Sequence, residues 1–236
     1  MESWQETDIQ SLLAAESEAA LFESLSGTAK DLGFEYCAYG MRMPLPVSHP
    51  KVFMLNNYSA QWQQRYREEG YLEMDPTVAH GTCSVMPLVW SEGVFAKCRR
   101  FWEDAWAHGL RFGWSQSCYD ARGVGGLLTL ARSAESMSAA EVRSLLPKVS
   151  WMTQAAHEGM SRLLLPRYMP EASATLSARE IEVLRWTADG KTSCEVGMIM
   201  NIAERTVNFH VNSALEKLGA VNKTSATIKA AMLGLL

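Results

Sequence analysis

Three aromatic side chains recur every fourth residue in NYSAQWQQRY: Tyr58, Trp62 and Tyr66. That spacing puts them on one face of a helix. Asp75 follows, directly ahead of Pro76, and then come Trp90, Phe101, Trp102, Phe112 and Trp114. An aromatic stripe by itself reads as core packing. Tyr and Trp, however, each carry a polar group that needs a partner when buried, and Asp75 carries a charge that needs donors. Several such groups in otherwise apolar sequence suit a small-molecule cavity with hydrophobic walls and a few fixed polar contacts. The plainer reading of Asp75 is a helix cap before Pro76.

A second constellation lies in NIAERTVNFHVN, Asn201 to Asn212. Val207 and Val211 face one way; Arg205, Asn208, Phe209 and Asn212 face the other. Arg can bond guanine through two hydrogen bonds, Asn can bond adenine, and both bind phosphate. Phe209 suits a thymine methyl. These positions fall in the first two turns, where a recognition helix meets base edges. The plainer reading is a solvated helix face. A third grouping, Asp75, His80 and Cys83, is close enough in sequence to raise a nucleophilic site, but sequence proximity says nothing about geometry.

Composition narrows the classes. The 236 residues carry a formal charge of -4. From Ala174 onward seven basic residues meet six acidic ones, a balance of +1 that leaves -5 for the rest. A mildly basic C-terminal unit permits DNA binding without demonstrating it. The opening MESWQETDIQ lacks the apolar core of a signal peptide, and no apolar run reaches the ~18 residues of a membrane span. Five scattered cysteines with no CxxC pair suit reduced cytoplasmic thiols, not a disulfide framework or a metal site.

The elements that must position these groups can be read in outline. Trp4 to Asp31 reads as helix. Phe34–Met43, Lys51–Leu55, Pro87–Trp90, Phe112–Tyr119 and Gly123–Arg132 read as strands, the last two as a hairpin. Helices are expected over Ser59–Glu69 and Arg99–His108, after the Asp75 cap, and from Ser138 to Leu164. Two prolines among small residues make 165–175 a linker. Beyond it Ser177–Glu180 and Thr192–Glu195 are capping boxes. The helices they open carry Ile181, Leu184 and Ala188, then Val196, Ile199 and Met200, as inward positions. A third helix runs from about Glu204 to Leu218, with Val207, Val211, Ala214, Leu215 and Leu218 inward, and a fourth starts near Asn222. The expected class is α+β: an N-terminal α/β/α sandwich around a five-stranded antiparallel sheet (1–164) and an all-α four-helix helix-turn-helix domain (176–236).

From Leu176 to the end, the chain resembles the C-terminal helix-turn-helix of LuxR-type transcription factors, with Glu180, Leu184 and Gly190 on the family's signature spacing. Ala203 departs from the Ser that many members place there, and losing a cap costs about 1 kcal/mol. A phosphorylated receiver domain in front is rejected, because its early acidic pair and repeated strand–helix units are missing. Instead the first half resembles the family's acyl-homoserine lactone domain, with Trp62, Tyr66, Asp75, Pro76, Trp90 and Gly113 on its six signature positions.

The resemblance implies a cytoplasmic, quorum-sensing transcriptional regulator, an activator, that binds a palindromic element as a homodimer and performs no catalysis. Its ligand would be an N-acyl-homoserine lactone, with no cofactor or metal. The Trp62 indole would donate to the lactone carbonyl, Tyr58 to the amide carbonyl, and Asp75 would accept the amide N–H. Thr129, where several relatives have Ser, would lie near the first acyl carbons. Tyr66, Thr77, Trp90, Phe101, Ala105 and Leu110 would complete the walls. DNA contacts would come from Thr192, Glu204, Arg205, Thr206, Asn208, Phe209 and Asn212, and RNA polymerase is a further candidate partner. Two rivals stand beside this reading: an enzyme using the Asp75–His80–Cys83 group, and a ligand-free regulator acting through heterodimers.

Overall fold

A computed structural model describes residues 6–236. The chain divides into two compact units. One takes the chain up to Arg42, Val52–Asp120 and Val124–Leu163; the other takes Met43–Lys51, Ala121–Gly123 and Leu164–Leu236.

In the first unit, five strands make one antiparallel sheet: β1 (Tyr36–Arg42), β2 (Val52–Asn56), β3 (Leu88–Val89), β4 (Phe112–Tyr119) and β5 (Gly125–Arg132), in the order β2-β1-β5-β4-β3. All five lie where the sequence expects them. Strand alternation gives the sheet two different faces. Tyr39, Met41, Trp114, Cys118, Leu128 and Leu130 are buried on one of them. On the other face the register lines up Asn56, Ala38, Thr129 and Ser115 in one row. Met54, Gly40, Leu127 and Ser117 make the next row, and Val52, Arg42, Gly125 and Tyr119 the last. The first face is bulky and the second is mostly small or polar.

Helices cover both faces. The long helix α7 (Ala139–Tyr168) lies on the bulky face, where Tyr39 bonds His157 and Gln116 bonds Ser150. The preceding helices are α1 (Glu6–Ala14), α2 (Glu18–Asp31), α3 (Ala60–Glu68), α4 (Pro76–Cys83), α5 (Glu92–Phe95) and α6 (Arg99–Ala107). Where one helix was expected from Trp4 to Asp31 there are two. Trp4 lies outside the described residues, and the break comes ahead of Ser17, whose extended backbone lets its hydroxyl accept the Ala20 amide as a cap.

Helix α7 also runs past the point where Pro166 should stop it. Interior proline costs a helix about 3 kcal/mol. Leu164, Leu165 and Met169 are buried around the proline, and burying each such Leu or Met returns roughly 1.5–3 kcal/mol. Burial therefore outweighs the lost hydrogen bond, and the helix ends at Tyr168 instead of Leu164.

The second unit carries α8 (Ala178–Ala188), α9 (Ser193–Met200), α10 (Glu204–Lys217) and α11 (Lys223–Met232). Both capping boxes form as read. Val183, Val196, Val207 and Val211 make the core, flanked by Trp186, Met200, Ile202 and Leu215. Two inward assignments do not hold. Ala188 is exposed, and Ile199 is 46% exposed. Gly197 takes the buried position in α9, because a Cβ there would stand 2.9 Å from the Ile202 carbonyl oxygen.

Candidate functional site

A cavity of about 570 Å³ opens between the small-residue face of the sheet and α3, α4 and α6. All ten residues assigned to ligand contact line it: Tyr58, Trp62, Tyr66, Asp75, Thr77, Trp90, Phe101, Ala105, Leu110 and Thr129.

Local structure sets the polar groups. Tyr58 precedes α3, with its amide donating to Asn56 Oδ1 at 3.2 Å and its carbonyl accepting from Gln63 Nε2 at 2.8 Å. Ser59 caps α3 by accepting the Trp62 amide, which fixes the turn that carries Trp62 and, one turn on, Tyr66. Arg65 and Tyr71 both donate to Asp104, tying α3 to α6. Trp62, Tyr71, Phe101, Ala105 and Leu110 then pack as one buried cluster at this end.

Asp75 is both cap and site. It opens α4 ahead of Pro76, and its Oδ1 accepts the Thr77 amide at 2.8 Å and the Thr77 hydroxyl at 2.7 Å. Its Oδ2 accepts the Tyr66 hydroxyl at 3.0 Å. Burial pushes its pKa up; the bonds from Thr77, Tyr66 and the Val78 amide pull the other way. Burial likewise pushes Tyr58 and Tyr66 far above an ordinary phenol, so both remain O–H donors. Neither the Trp62 indole N–H nor the Tyr58 hydroxyl bonds to another described residue. The cavity thus offers two free donors beside one buried acceptor.

A hydroxyl relay reaches the same wall. Trp90 Nε1 donates to Ser115 Oγ at 3.0 Å, and Ser115 Oγ lies 3.2 Å from Thr129 Oγ1. Indole nitrogen is only a donor. Ser115 is fully buried, either hydroxyl can donate in its pair with Thr129, and Thr129 itself lines the cavity.

Sequence reasoning missed the far end of the cavity, which Val52, Met54, Val78, Gly81, Tyr119 and Leu127 help to line. These residues are distant in sequence. Continuing the alternation from Thr129 to Leu127 and Gly125, and across to Met54 and Val52, would have found half of them.

The Asp75–His80–Cys83 group does not assemble. His80 Nε2 bonds the Met86 carbonyl, Cys83 Sγ donates to carbonyls within its own helix, and the Asp75 carboxylate is committed to Thr77 and Tyr66.

In the second unit, α9, the turn at 201–203 and α10 form a helix-turn-helix. Asn201 takes the left-handed conformation that ends α9. Ala203 starts α10 with no side-chain cap. Glu204, Arg205, Asn208, Phe209 and Asn212 are exposed and Thr206 partly so. Arg205, Asn208 and Asn212 have no side-chain partner among the described residues. Phe209 is 67% exposed, a large apolar ring held out in water. Thr192 is already engaged: its hydroxyl and amide serve the Glu195 capping box.

The autoinducer-binding domain family matches residues 17–160, and the luxR family of bacterial regulatory proteins matches residues 174–230. This chain belongs to the LuxR family of transcriptional regulators. Among its LuxR-family relatives is the transcriptional activator protein AnoR of Acinetobacter nosocomialis, 45% identical with all of both chains covered. The activator SolR of Ralstonia nicotianae is 46% identical over 94% of each chain. The crystal structure of Escherichia coli SdiA superposes with a TM-score of 0.85 at 31% identity, covering 98% of this chain and 97% of that one. SdiA in complex with octanoyl-rac-glycerol gives 0.83 at 30% identity, covering 100% and 98%. As a LuxR-family regulator the protein is not an enzyme, which agrees with the dispersed Asp75–His80–Cys83 group. No described helix is long and apolar enough to cross a membrane.

Proposed function

We propose that this LuxR-family regulator binds an N-acyl-homoserine lactone in the cavity of its first unit and, so loaded, grips a palindromic promoter element as a homodimer, activating transcription in the cytoplasm. One observation carries the reading: two unpartnered donors, Trp62 and Tyr58, line a mostly apolar cavity together with the buried Asp75 acceptor. An acyl-homoserine lactone presents the complement, two carbonyls and one amide N–H on a fatty tail. Trp62 donates to the lactone carbonyl, Tyr58 to the amide carbonyl, and Asp75 accepts the amide N–H. Residues 1–164 sense the signal, 176–236 bind DNA, and 165–175 connect them.

The cavity is space the core leaves unfilled, so the signal completes the fold. A ligand that binds only the folded form adds about 4 kcal/mol at 1,000 times its dissociation constant. Two recognition helices α10 then reach half-sites about one DNA turn apart. Exposed Trp151 on α7 and Ile228 on α11 support pairing along those helices. RNA polymerase is the partner an activator would recruit.

The test is a melting-temperature panel over acyl-homoserine lactones of varied tail, run beside promoter binding with and without each compound. Concentration-dependent stabilisation and ligand-dependent promoter occupancy are expected. A well-folded preparation that takes up none of them, and occupies its promoter equally in their absence, would sink the proposal.

A further inference from the structure

Trp62 lines the cavity and is 2% exposed. Tyr66, Tyr71, Phe101 and His108 set their rings around its indole, with centroids 5.2–6.0 Å away. Tyr66 is tied by its hydroxyl to Asp75, inside the cavity. Tyr71 and His108 are tied to Asp104 of α6, which does not line it. The Tyr71 hydroxyl donates to Asp104 Oδ2. His108 Nδ1 bonds the Asp104 backbone carbonyl at 2.8 Å; a carbonyl only accepts, so that nitrogen carries the proton. Arg65, about one turn beyond Trp62 on α3, donates its Nε to the same Oδ2 at 2.8 Å. The bond from Tyr71, joined by Arg65, holds the Asp104 carboxyl below the usual carboxylate range. At neutral pH it is therefore an acceptor alone.

We infer that Asp104 is a positioning residue: through Tyr71, His108 and Arg65 it sets the direction of the Trp62 N–H, and with it the preference for a head group that carries a ring carbonyl. This rests on the lactone reading above. The torsion between Cβ and an indole ring has broad minima, so the ring is turned by what packs on it. A hydrogen bond weakens steeply as its angle closes. A modest turn of the indole thus loses the bond to the ligand while the ring stays buried. The spacing along α6 serves the same end. Phe101, Asp104 and His108 stand three and four residues apart, so they share one face. That face meets Trp62 with two rings and holds a third, Tyr71, against it.

The experiment compares two probes on the full-length protein. One is N-octanoyl-homoserine lactone; the other is N-cyclopentyl octanamide, which keeps the tail and the amide and lacks the ring carbonyl. The parent should prefer the lactone roughly tenfold, the worth of one neutral hydrogen bond. Asp104→Asn keeps the size of the side chain and replaces one acceptor oxygen with an N–H donor group. Its preference should fall to within about twofold, with cyclopentyl-probe affinity also within about twofold of the parent's. The packing of Trp62 on Phe101 and Ala105 is untouched. Tyr71→Phe keeps the ring, drops the hydroxyl and should shift the preference the same way; it decides the question if Asp104→Asn does not fold. In a Trp62→Phe background, where the preference is already gone, Asp104→Asn should alter the ratio no further.

Folded variants that weaken both probes equally, with the parent's ratio kept, would reduce Asp104 to a structural tie and overturn the inference. Unchanged binding of both probes would do the same, and either result leaves the lactone reading intact. A parent that binds both probes equally removes the Trp62 bond to the lactone carbonyl, and this inference with it. A parent that binds neither overturns the lactone reading and the inference together.

Discussion

The indole of Trp90 presses against Gly113 so closely that a methyl on Gly113 would stand 2.4 Å from the ring. The Trp90 amide also donates to the Gly113 carbonyl at 2.9 Å. Only a residue without a side chain allows Trp90 to lie here and reach Ser115. Gly113→Ala must push the indole away, and overpacking of this kind costs about 1–3 kcal/mol. Thermal melting should register that loss, together with a weakened melting response to signal. An unchanged melt would mean the ring has another resting place.

Asp75→Asn separates folding from sensing. Asn caps helices as well as Asp, so α4 should survive while the amide N–H of the signal loses its acceptor. The dose curve should collapse with the ligand-free melt nearly unmoved; an intact dose curve would remove Asp75 from recognition. The pH dependence has two signs. Burial raises the folded pKa above the ordinary 3.8, so the contribution of Asp75 to ligand-free stability is present below the ordinary value and lost as pH rises. Signal affinity runs the other way, because it needs the carboxylate, and it should fall as acid protonates Asp75.

Thr129→Val and Ser115→Ala test the relay. Thr129→Val removes the hydroxyl that lines the cavity, at a cost of about 0.5–1.5 kcal/mol in affinity for a signal that bonds there. Ser115→Ala also strands the Trp90 N–H, worth about 1–3 kcal/mol of fold stability. Calorimetric titration separates the two effects. Equal affinities in Thr129→Val and the parent would place the Thr129 hydroxyl outside ligand contact.

Arg205→Ala or Asn208→Ala should each weaken operator binding by about 1–3 kcal/mol while leaving ligand-dependent melting as it was. Gel-shift titration at fixed salt measures this, since phosphate contacts make affinity fall steeply with ionic strength. A mutant that holds the operator as tightly as the parent does not touch it.

Glu180→Gln should loosen the second unit. Glu180 is buried; its carboxylate accepts from the Ser177 amide, the Ser213 hydroxyl and Lys217 Nζ at 2.7–2.9 Å. Burial works against its charge, but Lys217, Ser177 and Ser213 outweigh it and bring its pKa down from 4.5 to about 2. A depressed carboxylate contributes stability above the unfolded value and loses it as pH falls towards the folded one, here between about 4.5 and 2. Bonds to a charged group are worth about 1.5–3 kcal/mol. Acid titration of the melt should show a steeper loss over that window in the parent than in the variant.

How much of this was legible depended on whether the signal was local. The Ser177 and Thr192 capping boxes, the Asp75–Pro76 helix start and the Phe112–Arg132 hairpin are written within a few residues, and each forms as read. The break ahead of Ser17 was missed because one serine interrupts an otherwise helical run. The persistence of α7 through Pro166 was missed because local propensity counts the proline's cost and cannot see the burial that repays it. The ten residues assigned to the cavity came through resemblance, and they cluster around its polar end. Val52, Met54 and Gly40 carry no polar side-chain group and, with Tyr119, meet only through pairing of distant strands.

The two-sidedness of the sheet gives each strand position a parity. Along β1 and β5, one set of alternating residues holds the domain upright and the interleaved set shapes what the domain hears. Gly40 and Leu127 line the cavity, so a substitution there is expected to retune reception; one at Tyr39 or Leu128, a single step away and fully buried, is expected to undermine the scaffold itself. Descendants of such a receptor can therefore drift towards new dialects by changing every second letter of a strand.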